Sequence, residues 1–502
     1  MLAQQNNSKL ETIFFIVILM FGSFLRFYQI GSESIWYDES ISVKLASSSI
    51  QDIVSGKAKD LGNPPLHNIF LHYWVKLFGS SEIVVRSLSA VFGVLTIILF
   101  YLFAIILFDK RTVLFATFLL SISPPHIYLS QEARTYTMLM FFCLASMFFM
   151  LKFLKKEKII YLLLYSLATF LSLYSHYFTL FLILAQNIFL LIYWRRYKRL
   201  FWKWILGQGV IIVLFSLAWL PNFILQVTMK DNLSRSVQSW YKHLVFIPFY
   251  LGIGHTLIWK GEQLYKVALY SLLTFVAFIV PLLYGILKMR DRKETALFLG
   301  LWLLTPIAIP AIISVLVSPL FASRYAIFVL PPYYLFTAVG VLSIRVKQLK
   351  SACYFLIVLL CSLSLFNSYT KNVKFEWRQA GKFISENAQR SDLLLFDADI
   401  GESALSYYYK GDTTKFRLSS EADTQLHKIK GYRRAGAPIE DITDTVTRAG
   451  RIWLVLSNNY DQGAGDYYYR YLSDRSTEVL KKEYKGIIIY LFDNSRLAIS
   501  LK

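Results

Sequence analysis

Two adjacent carboxylates follow the first apolar segment of the chain. They are Asp38 and Glu39, and the segment before them, residues 13–30, has Arg26 as its one charged residue. A carboxylate at a membrane boundary is unfavourable unless it has a use, so the pair is a candidate functional site. Its chemistry would be that of a general base, which takes a proton from a reacting group. The alternative is a solvated loop carboxylate, which fits Glu39 better than Asp38.

Three arginines near the ends of later apolar segments are candidates for binding a phosphate. They are Arg86, Arg134 and Arg324, the last directly before Tyr325. Arginine binds phosphate oxygens in a bidentate manner and keeps its charge at a lipid interface. Structural pairing or interfacial snorkelling is the alternative. A carboxylate such as Glu39 or Glu132 would offset the charge of Arg86 inside its span.

Histidines add weaker candidates, of which His67 and His176 are the most relevant. Histidine serves as a ligand and a proton shuttle, but a histidine near a membrane face is more often an interfacial hydrogen-bonding group. The sequence contains no HExxH or CxxC motif, so we predict that no metal is required and leave a divalent ion open. The three cysteines lie inside apolar segments, as small core residues do.

The composition predicts a polytopic membrane protein rather than a soluble one. Hydrophobic residues make up 56% of the 502 residues, and charged residues only 17%. Apolar runs of bilayer-spanning length recur along the chain. We predict eleven spans, near 12–30, 82–108, 112–130, 134–151, 159–175, 178–194, 204–222, 263–287, 294–317, 326–344 and 351–368.

The net charge of +21 is carried largely by short connections between these spans. Basic connections occur at every second crossing, so the positive-inside rule predicts a cytoplasmic N-terminus and an outward-facing acid pair. The charge therefore indicates contact with anionic membrane lipids and not with nucleic acid. An aromatic stretch from Trp240 to Trp259 is interrupted by proline and glycine, which favours an interfacial or re-entrant segment, with a true span as the alternative. The basic connections are residues 110–111, 152–158, 195–203, 288–293 and 345–350.

The chain divides into two predicted domains. Residues 1–368 form the transmembrane domain, in which residues 31–81 are a long first outer loop. Long loops tend to be functional. Residues 369–502 are richer in charge and alternate short β-rich runs (393–396, 452–456 and 487–490) with helical stretches (376–388 and 467–480), which predicts an outward-facing α/β domain.

Several motifs together resemble one family. The acid pair, the Pro-Pro-Leu segment and the Phe-Gly-x-Ser-Glu segment before Arg86 are similar to the protein O-mannosyltransferase-like branch of the C-type (GT-C fold) glycosyltransferases. That branch includes the aminoarabinose transferase of lipid A modification. The resemblance covers roughly the first 345 residues. Its segments are Asp38-Glu39, Pro64-Pro65-Leu66, Phe78 to Glu82, Ser130 to Tyr136, Tyr174 to Tyr177, Ser323-Arg324-Tyr325 and Leu330-Pro331-Pro332.

The resemblance implies an all-α GT-C bundle of about eleven transmembrane helices with a C-terminal extracytoplasmic α/β domain. It also implies an inverting transfer of a hexose or pentose from a polyprenyl-phosphate carrier to an acceptor hydroxyl. Asp38 would be the general base and Glu39 its orienting neighbour. The donor phosphate would be bound by Arg86, Arg134, Arg324 and Tyr325, with Glu132, His67 and His176 in acceptor or secondary roles.

One position departs from the family pattern. Many relatives carry histidine or lysine directly before the Pro-Pro pair, where this chain has Asn63. A phosphate or acceptor contact from that position is therefore not expected, and His67 is the residue that could replace it.

The implied partners are a polyprenyl-phosphate-linked sugar, an acceptor glycan, lipid or protein, and membrane lipids. The implied location is the plasma (inner) membrane of a bacterium. Two alternatives remain: a transporter or flippase for a lipid-linked sugar, and a homologue that binds the lipid without catalysis. A transporter would favour two symmetric halves and charges at mid-membrane, whereas here the ionisable candidates gather at one face.

Overall fold

A computed structural model describes most of the chain. The described residues are 2–58, 62–228, 240–255, 257, 264–317, 320–371, 374–397, 399–418, 443–457 and 462–494. They belong to two compact units. The membrane unit comprises Met1–Ile30 and Ser42–Lys371, and the sheet unit comprises Gly31–Ile41 and Asn372–Lys502. These units differ from the predicted domains in the segment that holds the acid pair, which belongs to the sheet unit.

Helices make up the membrane unit. The first ten are α1 (Leu2–Phe27), α2 (Tyr37–Ala46, which begins in the sheet unit), α3 (Ile50–Ser55), α4 (Leu66–Phe78), α5 (Glu82–Ala104), α6 (Lys110–Ser121), α7 (Pro124–Ser130), α8 (Tyr136–Lys156), α9 (Ile159–Leu173) and α10 (Thr179–Ile192). The next are α11 (Trp194–Tyr197), α12 (Phe201–Thr228), α13 (Trp240–Ile253), α14 (Leu264–Thr274), α15 (Val280–Lys288), α16 (Lys293–Leu316), α17 (Leu330–Ser343) and α18 (Lys347–Thr370). A π-helical turn (Phe275–Ile279) and two 3₁₀ turns (Arg290–Arg292 and Ser323–Val329) join some of them.

Many of these helices have the length and composition of membrane spans. Within the described residues, eight qualify, or nine if the bent pair α6 and α7 counts as one span. The shorter apolar helices α9 and α10 occupy two further predicted spans. A membrane protein of the expected class is therefore confirmed, while the number of eleven crossings stays a prediction.

Close helix contacts hold the membrane unit together at glycines. A Cβ atom on Gly285 would lie 1.9 Å from the carbonyl oxygen of Phe336, and one on Gly340 would lie 1.8 Å from that of Pro281. Helices α15 and α17 therefore meet backbone to backbone, which is the usual role of small residues between membrane helices.

The predicted first outer loop is largely helical. It contains the later part of α2 together with α3 and α4. Local signals explain α3: the Ser49 hydroxyl accepts a hydrogen bond from the Asp52 backbone N–H at 3.1 Å, and Gly56 ends the helix with φ +76°. Serine at the N-cap and glycine in the left-handed region at the C-terminal end are standard helix boundaries.

The aromatic stretch that was predicted to be interfacial forms helix α13, with Pro248 inside it. Ile247, Leu251 and Ile253 are buried there. Its predicted end at Trp259 lies outside the described residues. Since α13 has 14 residues, it is shorter than the roughly 20 needed to span a bilayer.

The basic connections meet one another in the structure. Lys155 Nζ donates to the Ile106 carbonyl at 3.0 Å, and Arg292 Nη1 donates to the Leu107 carbonyl at 3.2 Å. Arg196 forms an ion pair with Glu294 at 2.5 Å. These contacts join side chains of three basic connections (152–158, 195–203 and 288–293) to residues close to 110–111 and 288–293, in agreement with an alternating topology.

The sheet unit is a five-stranded mixed sheet with helices. Its elements are α19 (Trp377–Asn387), β1 (Leu393–Phe396), α20 (Asp399–Tyr408), β2 (Thr414–Arg417), α21 (Thr443–Arg448), β3 (Arg451–Ser457), α22 (Gln462–Ser473), β4 (Thr477–Tyr484) and β5 (Ile487–Asp493). The strand order is β2-β1-β3-β5-β4. Strands β2, β1 and β3 are parallel, whereas β5 is antiparallel to β3 and β4.

Buried side chains on both faces of this sheet form its core, as expected for an α/β domain. The predicted fold class is confirmed, with one local correction. The predicted helix 467–480 ends at Ser473, and Thr477 to Leu480 belong to strand β4. Pairing with β5 overrides the helical pattern there, since strand propensity depends strongly on neighbouring strands.

Candidate active site

Helix α2 carries the acid pair in its first turn, where the two neighbours have different surroundings. Glu39 is fully buried, and its Oε2 accepts hydrogen bonds from the Trp36 backbone N–H at 3.3 Å and from Lys374 Nζ at 2.9 Å. Asp38 is only half-buried. A buried carboxylate needs such a partner, because an uncompensated buried charge is strongly destabilising. Glu39 is thus held by partners within the sheet unit, while the side chain of Asp38 keeps part of its surface exposed.

The segment before the acid pair is tied to the C-terminal part of the sheet unit. Arg378 donates hydrogen bonds to the carbonyls of residues 31–33 at 2.8 to 3.3 Å. Its backbone N–H donates to the Ser34 hydroxyl at 3.2 Å, and the Ile35 N–H donates to the Tyr408 hydroxyl at 2.7 Å. These contacts fix the backbone that leads into α2. Lys374, Arg378 and Tyr408 could not be predicted as partners of this segment, because no local pattern links residues so far apart in the chain.

In the membrane unit, the turn between α7 and α8 holds Arg134. Its side chain is 8% exposed, and Nη1 donates to the Ser42 hydroxyl at 3.2 Å. The Arg134 carbonyl accepts a hydrogen bond from the Ser89 hydroxyl at 3.0 Å. The neighbouring Thr135 hydroxyl donates to the Ser175 carbonyl at 3.2 Å. Both sides of this turn are therefore fixed by hydrogen bonds to other helices and loops.

Arg324 lies against an aromatic cluster, which we define as Tyr136, His176 and Tyr325. The guanidinium carbon is 5.6 Å from the ring centre of Tyr136 and 5.7 Å from that of Tyr325. His176 and Tyr325 have ring centres 4.8 Å apart. A guanidinium held near the face of an aromatic ring is stabilised by cation–π attraction, and its N–H groups can still donate hydrogen bonds. The structure therefore brings three of the predicted residues, Arg324, Tyr325 and His176, together around Tyr136.

His176 has a defined tautomer in its neutral form. Its side chain is 4% exposed, and Nδ1 accepts a hydrogen bond from the Phe178 backbone N–H at 3.1 Å. A ring nitrogen that accepts carries no proton, so the proton of neutral His176 is on Nε2. His176 can then donate a hydrogen bond through Nε2.

Helix α13 brings two further polar side chains to Arg324. His243 Nδ1 lies 3.0 Å from the Ser323 hydroxyl, and burial together with the charge of Arg324 lowers the pKa of His243. Burial raises the pKa of Tyr250, and the carboxylate of Glu132 raises it further, while Arg324 opposes this. Glu132 itself is 3% exposed. Sequence analysis named Glu132 and Arg324, but it did not assign His243 or Tyr250 to the site.

Arg86 and His67 have their own fixed positions. Arg86 is 1% exposed, and its Nη1 donates to the Ile30 carbonyl, near the end of α1, at 2.9 Å. His67 is 4% exposed in the first turn of α4, where the neighbouring Leu66 N–H donates to the Tyr174 carbonyl at 3.2 Å. Both side chains are buried polar groups of the membrane unit, and their predicted contacts with substrate remain predictions.

No metal centre stands out in the part of the chain that the structure describes. There, no group of three or more histidine, cysteine, aspartate or glutamate side chains is placed to hold an ion.

Comparisons with known proteins agree with this architecture. Residues 62–219 match the family described as dolichyl-phosphate-mannose-protein mannosyltransferase. The matched stretch contains five of the candidate residues: His67, Arg86, Glu132, Arg134 and His176. Among curated proteins, no match to the chain was found.

Solved structures share the fold at low sequence identity. ArnT from Cupriavidus metallidurans in the apo state is 14% identical with a TM-score of 0.63, over 98% of this chain and 99% of that chain. The same enzyme bound to undecaprenyl phosphate is 13% identical with a TM-score of 0.61, over 96% of this chain and 97% of that chain. The oligosaccharyltransferase of Archaeoglobus fulgidus, in complex with Zn and sulfate, is 12% identical with a TM-score of 0.54, over 91% of this chain and 69% of that chain.

These findings agree with the resemblance recognised in the sequence. The protein has the GT-C fold over nearly its whole length, and its residues 62–219 match the family described as dolichyl-phosphate-mannose-protein mannosyltransferase.

Proposed function

We propose that the protein is an integral-membrane glycosyltransferase that uses a polyprenyl-phosphate sugar as its donor. Asp38 takes the proton of an acceptor hydroxyl while that oxygen attacks the anomeric carbon of the donor. The bond from that carbon to the phosphate oxygen breaks, and the polyprenyl phosphate leaves with the bonding electrons. The sugar is transferred with inversion. A phosphate leaves readily, so one carboxylate suffices, whereas hydrolysis of an ordinary glycosidic bond normally takes two.

The contrast between the two adjacent carboxylates carries this proposal. Glu39 is fully buried with Lys374 at 2.9 Å, and Asp38 is half-buried in the same helical turn. A general base must come within hydrogen-bonding distance of the proton that it removes. Asp38 has the exposure for this role. Glu39 positions the turn through its ion pair.

Arginines bind the leaving phosphate in this proposal. Arg134 and Arg324 are the central pair, with the Tyr325 hydroxyl as a further donor and Arg86 in support. A planar guanidinium matches phosphate oxygens and stays protonated as the charge develops. The aromatic rings beside Arg324 keep its orientation fixed before the donor arrives. His176, His67 and Glu132 have secondary or acceptor roles.

The acceptor is a glycan, a lipid or a protein on the extracytoplasmic side of a bacterial inner membrane. The basic connections that meet in the membrane unit support this orientation, since positively charged loops stay in the cytoplasm. ArnT bound to undecaprenyl phosphate and the oligosaccharyltransferase of Archaeoglobus fulgidus in complex with dolichol phosphate support a lipid phosphate as carrier. No metal is required in this proposal.

The experiment compares transfer with transport in proteoliposomes. Purified protein receives a panel of polyprenyl-phosphate sugars, and both sugar transfer and movement of the donor across the bilayer are measured. Asp38→Asn should abolish transfer, and Asp412→Asn, an exposed carboxylate of the sheet unit, should leave it unchanged. Donor movement by wild-type protein without any transfer would replace this proposal with a flippase.

A further inference from the structure

A second group of cations lines a cleft formed by the basic connections of the membrane unit. We call it the basic cleft and define it by Arg111, Lys288, Arg292 and Lys350. The cleft has a volume of about 390 Å³. Its walls come from the starts of α6 and α18, the ends of α15 and α17, and the 3₁₀ turn Arg290–Arg292.

The charges in the basic cleft are not balanced by its own residues. Asp109 is the one carboxylate among the lining residues, against four cations. Its Oδ1 caps α6 by accepting hydrogen bonds from the Arg111 and Thr112 backbone N–H groups at 3.1 and 3.2 Å. Within the described parts of the chain, none of the four cations forms an ion pair with a carboxylate. The cleft therefore has a net charge of +3.

Two of these cations are held in place by helix ends. Lys350 Nζ donates to the Leu342 carbonyl at 2.9 Å, and Arg292 Nη1 donates to the Leu107 carbonyl at 3.2 Å. Each group has further N–H donors, since an ammonium has three and a guanidinium five. Both cations are thus fixed to the walls with donors left for a ligand.

The rest of the cleft is lined by four apolar side chains together with Thr112 and Ser343. Phe108, Met289, Val339 and Leu342 lie among its lining residues. Positive-inside topology explains why the connections are basic, but it does not require cations from three of them to surround one cleft with an apolar wall. Phosphate groups attached to hydrocarbon chains match both parts, and basic clefts between membrane helices on the cytoplasmic side are suited to such headgroups.

We propose that the basic cleft binds the headgroup of an anionic phospholipid through its phosphate oxygens. A headgroup with two phosphates is preferred to one with a single phosphate, because it balances more of the net charge. This site is separate from the residues of the proposed transfer reaction, and the proposal does not depend on that reaction.

Lipid binding to purified protein tests this directly, by native mass spectrometry in detergent with added cardiolipin, phosphatidylglycerol or phosphatidylcholine. Cardiolipin should bind with saturation at one molecule per chain, and phosphatidylglycerol should bind more weakly. The cleft variant Lys288→Gln/Arg292→Gln/Lys350→Gln should lose roughly 100-fold in affinity, about fivefold for each cation near the lipid phosphate.

A matched control removes the same charge elsewhere on the basic connections. This control variant is Lys198→Gln/Lys203→Gln/Arg345→Gln, whose three positions lie outside the cleft lining. It should bind cardiolipin at least tenfold more tightly than the cleft variant does. Because Arg292 and Lys350 also contact helix ends, Arg111→Gln/Lys288→Gln serves as a second cleft variant that keeps those contacts. Equal losses in the control and both cleft variants would overturn the proposal.

Inorganic phosphate separates lipid binding from binding of a free anion. At millimolar phosphate, cardiolipin should stay bound, since the apolar wall adds affinity for the lipid. Full displacement by phosphate at that concentration, or equal binding of phosphatidylcholine, would contradict a lipid site.

Discussion

The membrane unit contains two groups of cationic side chains, and their surroundings differ. Arg134 is 8% exposed, and Arg324 lies beside two tyrosine rings with Glu132 close enough to influence their common neighbour Tyr250. Arg111, Lys288 and Arg292 of the basic cleft are exposed and lie beside one helix-capping carboxylate. A buried cation such as Arg134, or a ring-supported one such as Arg324, selects one geometry, whereas exposed cations on helix ends tolerate many. The first arrangement suits a reacting phosphate, and the second suits a lipid headgroup.

The largest difference should appear when one arginine is removed from each region. Arg324→Ala should lower kcat/KM for sugar transfer by about 10²–10³-fold, which is typical for the loss of one preorganised donor at a developing charge. Arg324→Lys should recover only part of this, because an ammonium cannot bind phosphate in a bidentate manner. Arg111→Ala, in the basic cleft, should stay within about threefold of the wild-type transfer activity. Transfer by Arg324→Ala at the wild-type rate would remove the distinction between the two regions.

The buried ion pair of the sheet unit should give the next largest effect. Lys374→Met leaves Glu39 charged and without its lysine, so the free energy of unfolding should fall by about 3–5 kcal/mol. The double variant Glu39→Gln/Lys374→Met should regain much of this. Chemical denaturation of purified protein measures both, with the exposed pair Lys382 and Glu386 as the control. Additive losses in the double variant would show that the pair is not coupled.

The fold class and some site residues could be predicted from the sequence, whereas the buried ion pair could not. Alternating basic connections and apolar runs predicted the class of fold, because both signals are local and repeated. The family motifs pointed to Asp38, Arg134 and Arg324, which lie in short, recognisable segments. The Lys374 ion pair was not predictable, since the charge of a lysine after the last span does not reveal its distant partner.

Two further details depend on contacts that are distant in the sequence. Residues 31–41 were predicted to begin the first outer loop of the transmembrane domain, and their backbone makes hydrogen bonds with Arg378 and Tyr408. Thr477 to Leu480 were predicted to be helical, whereas pairing with β5 makes them a strand. Tertiary contacts decided both cases.

One helix connects the two cation regions and allows a third test. Helix α17 follows the turn that carries Arg324 and ends at the wall of the basic cleft, and Gly340 lies in its close contact with α15. Gly340→Ala should lower the thermal stability by about 1–3 kcal/mol, since the added methyl group overlaps a backbone carbonyl. Gly300→Ala has no atom within 4 Å of its new Cβ and should be neutral or slightly stabilising. Equal thermal unfolding curves for the two variants would contradict this packing.

The smallest effect should come from pH. Burial and the charge of Arg324 lower the pKa of His243 in the folded protein, so the unfolded chain binds a proton more readily. Stability should therefore be fully present above about pH 6.5, the ordinary histidine pKa, and should decrease as the pH falls below it. His243→Asn should remove this part of the pH dependence, which thermal unfolding between pH 5 and 8 can measure. If the stability of the variant depended more steeply on pH than that of wild type, the contribution of His243 would have the opposite sign.

Donor binding and sugar transfer, measured on the same Asp38→Asn sample, test the central claim most directly. Since Asp38 takes the acceptor proton and does not bind the phosphate, the variant should bind the polyprenyl-phosphate sugar within about threefold of wild type. Its transfer rate should fall by about 10²–10⁴-fold, the usual contribution of a general base. A transfer rate within a few-fold of wild type, with donor binding intact, would show that the proton goes elsewhere.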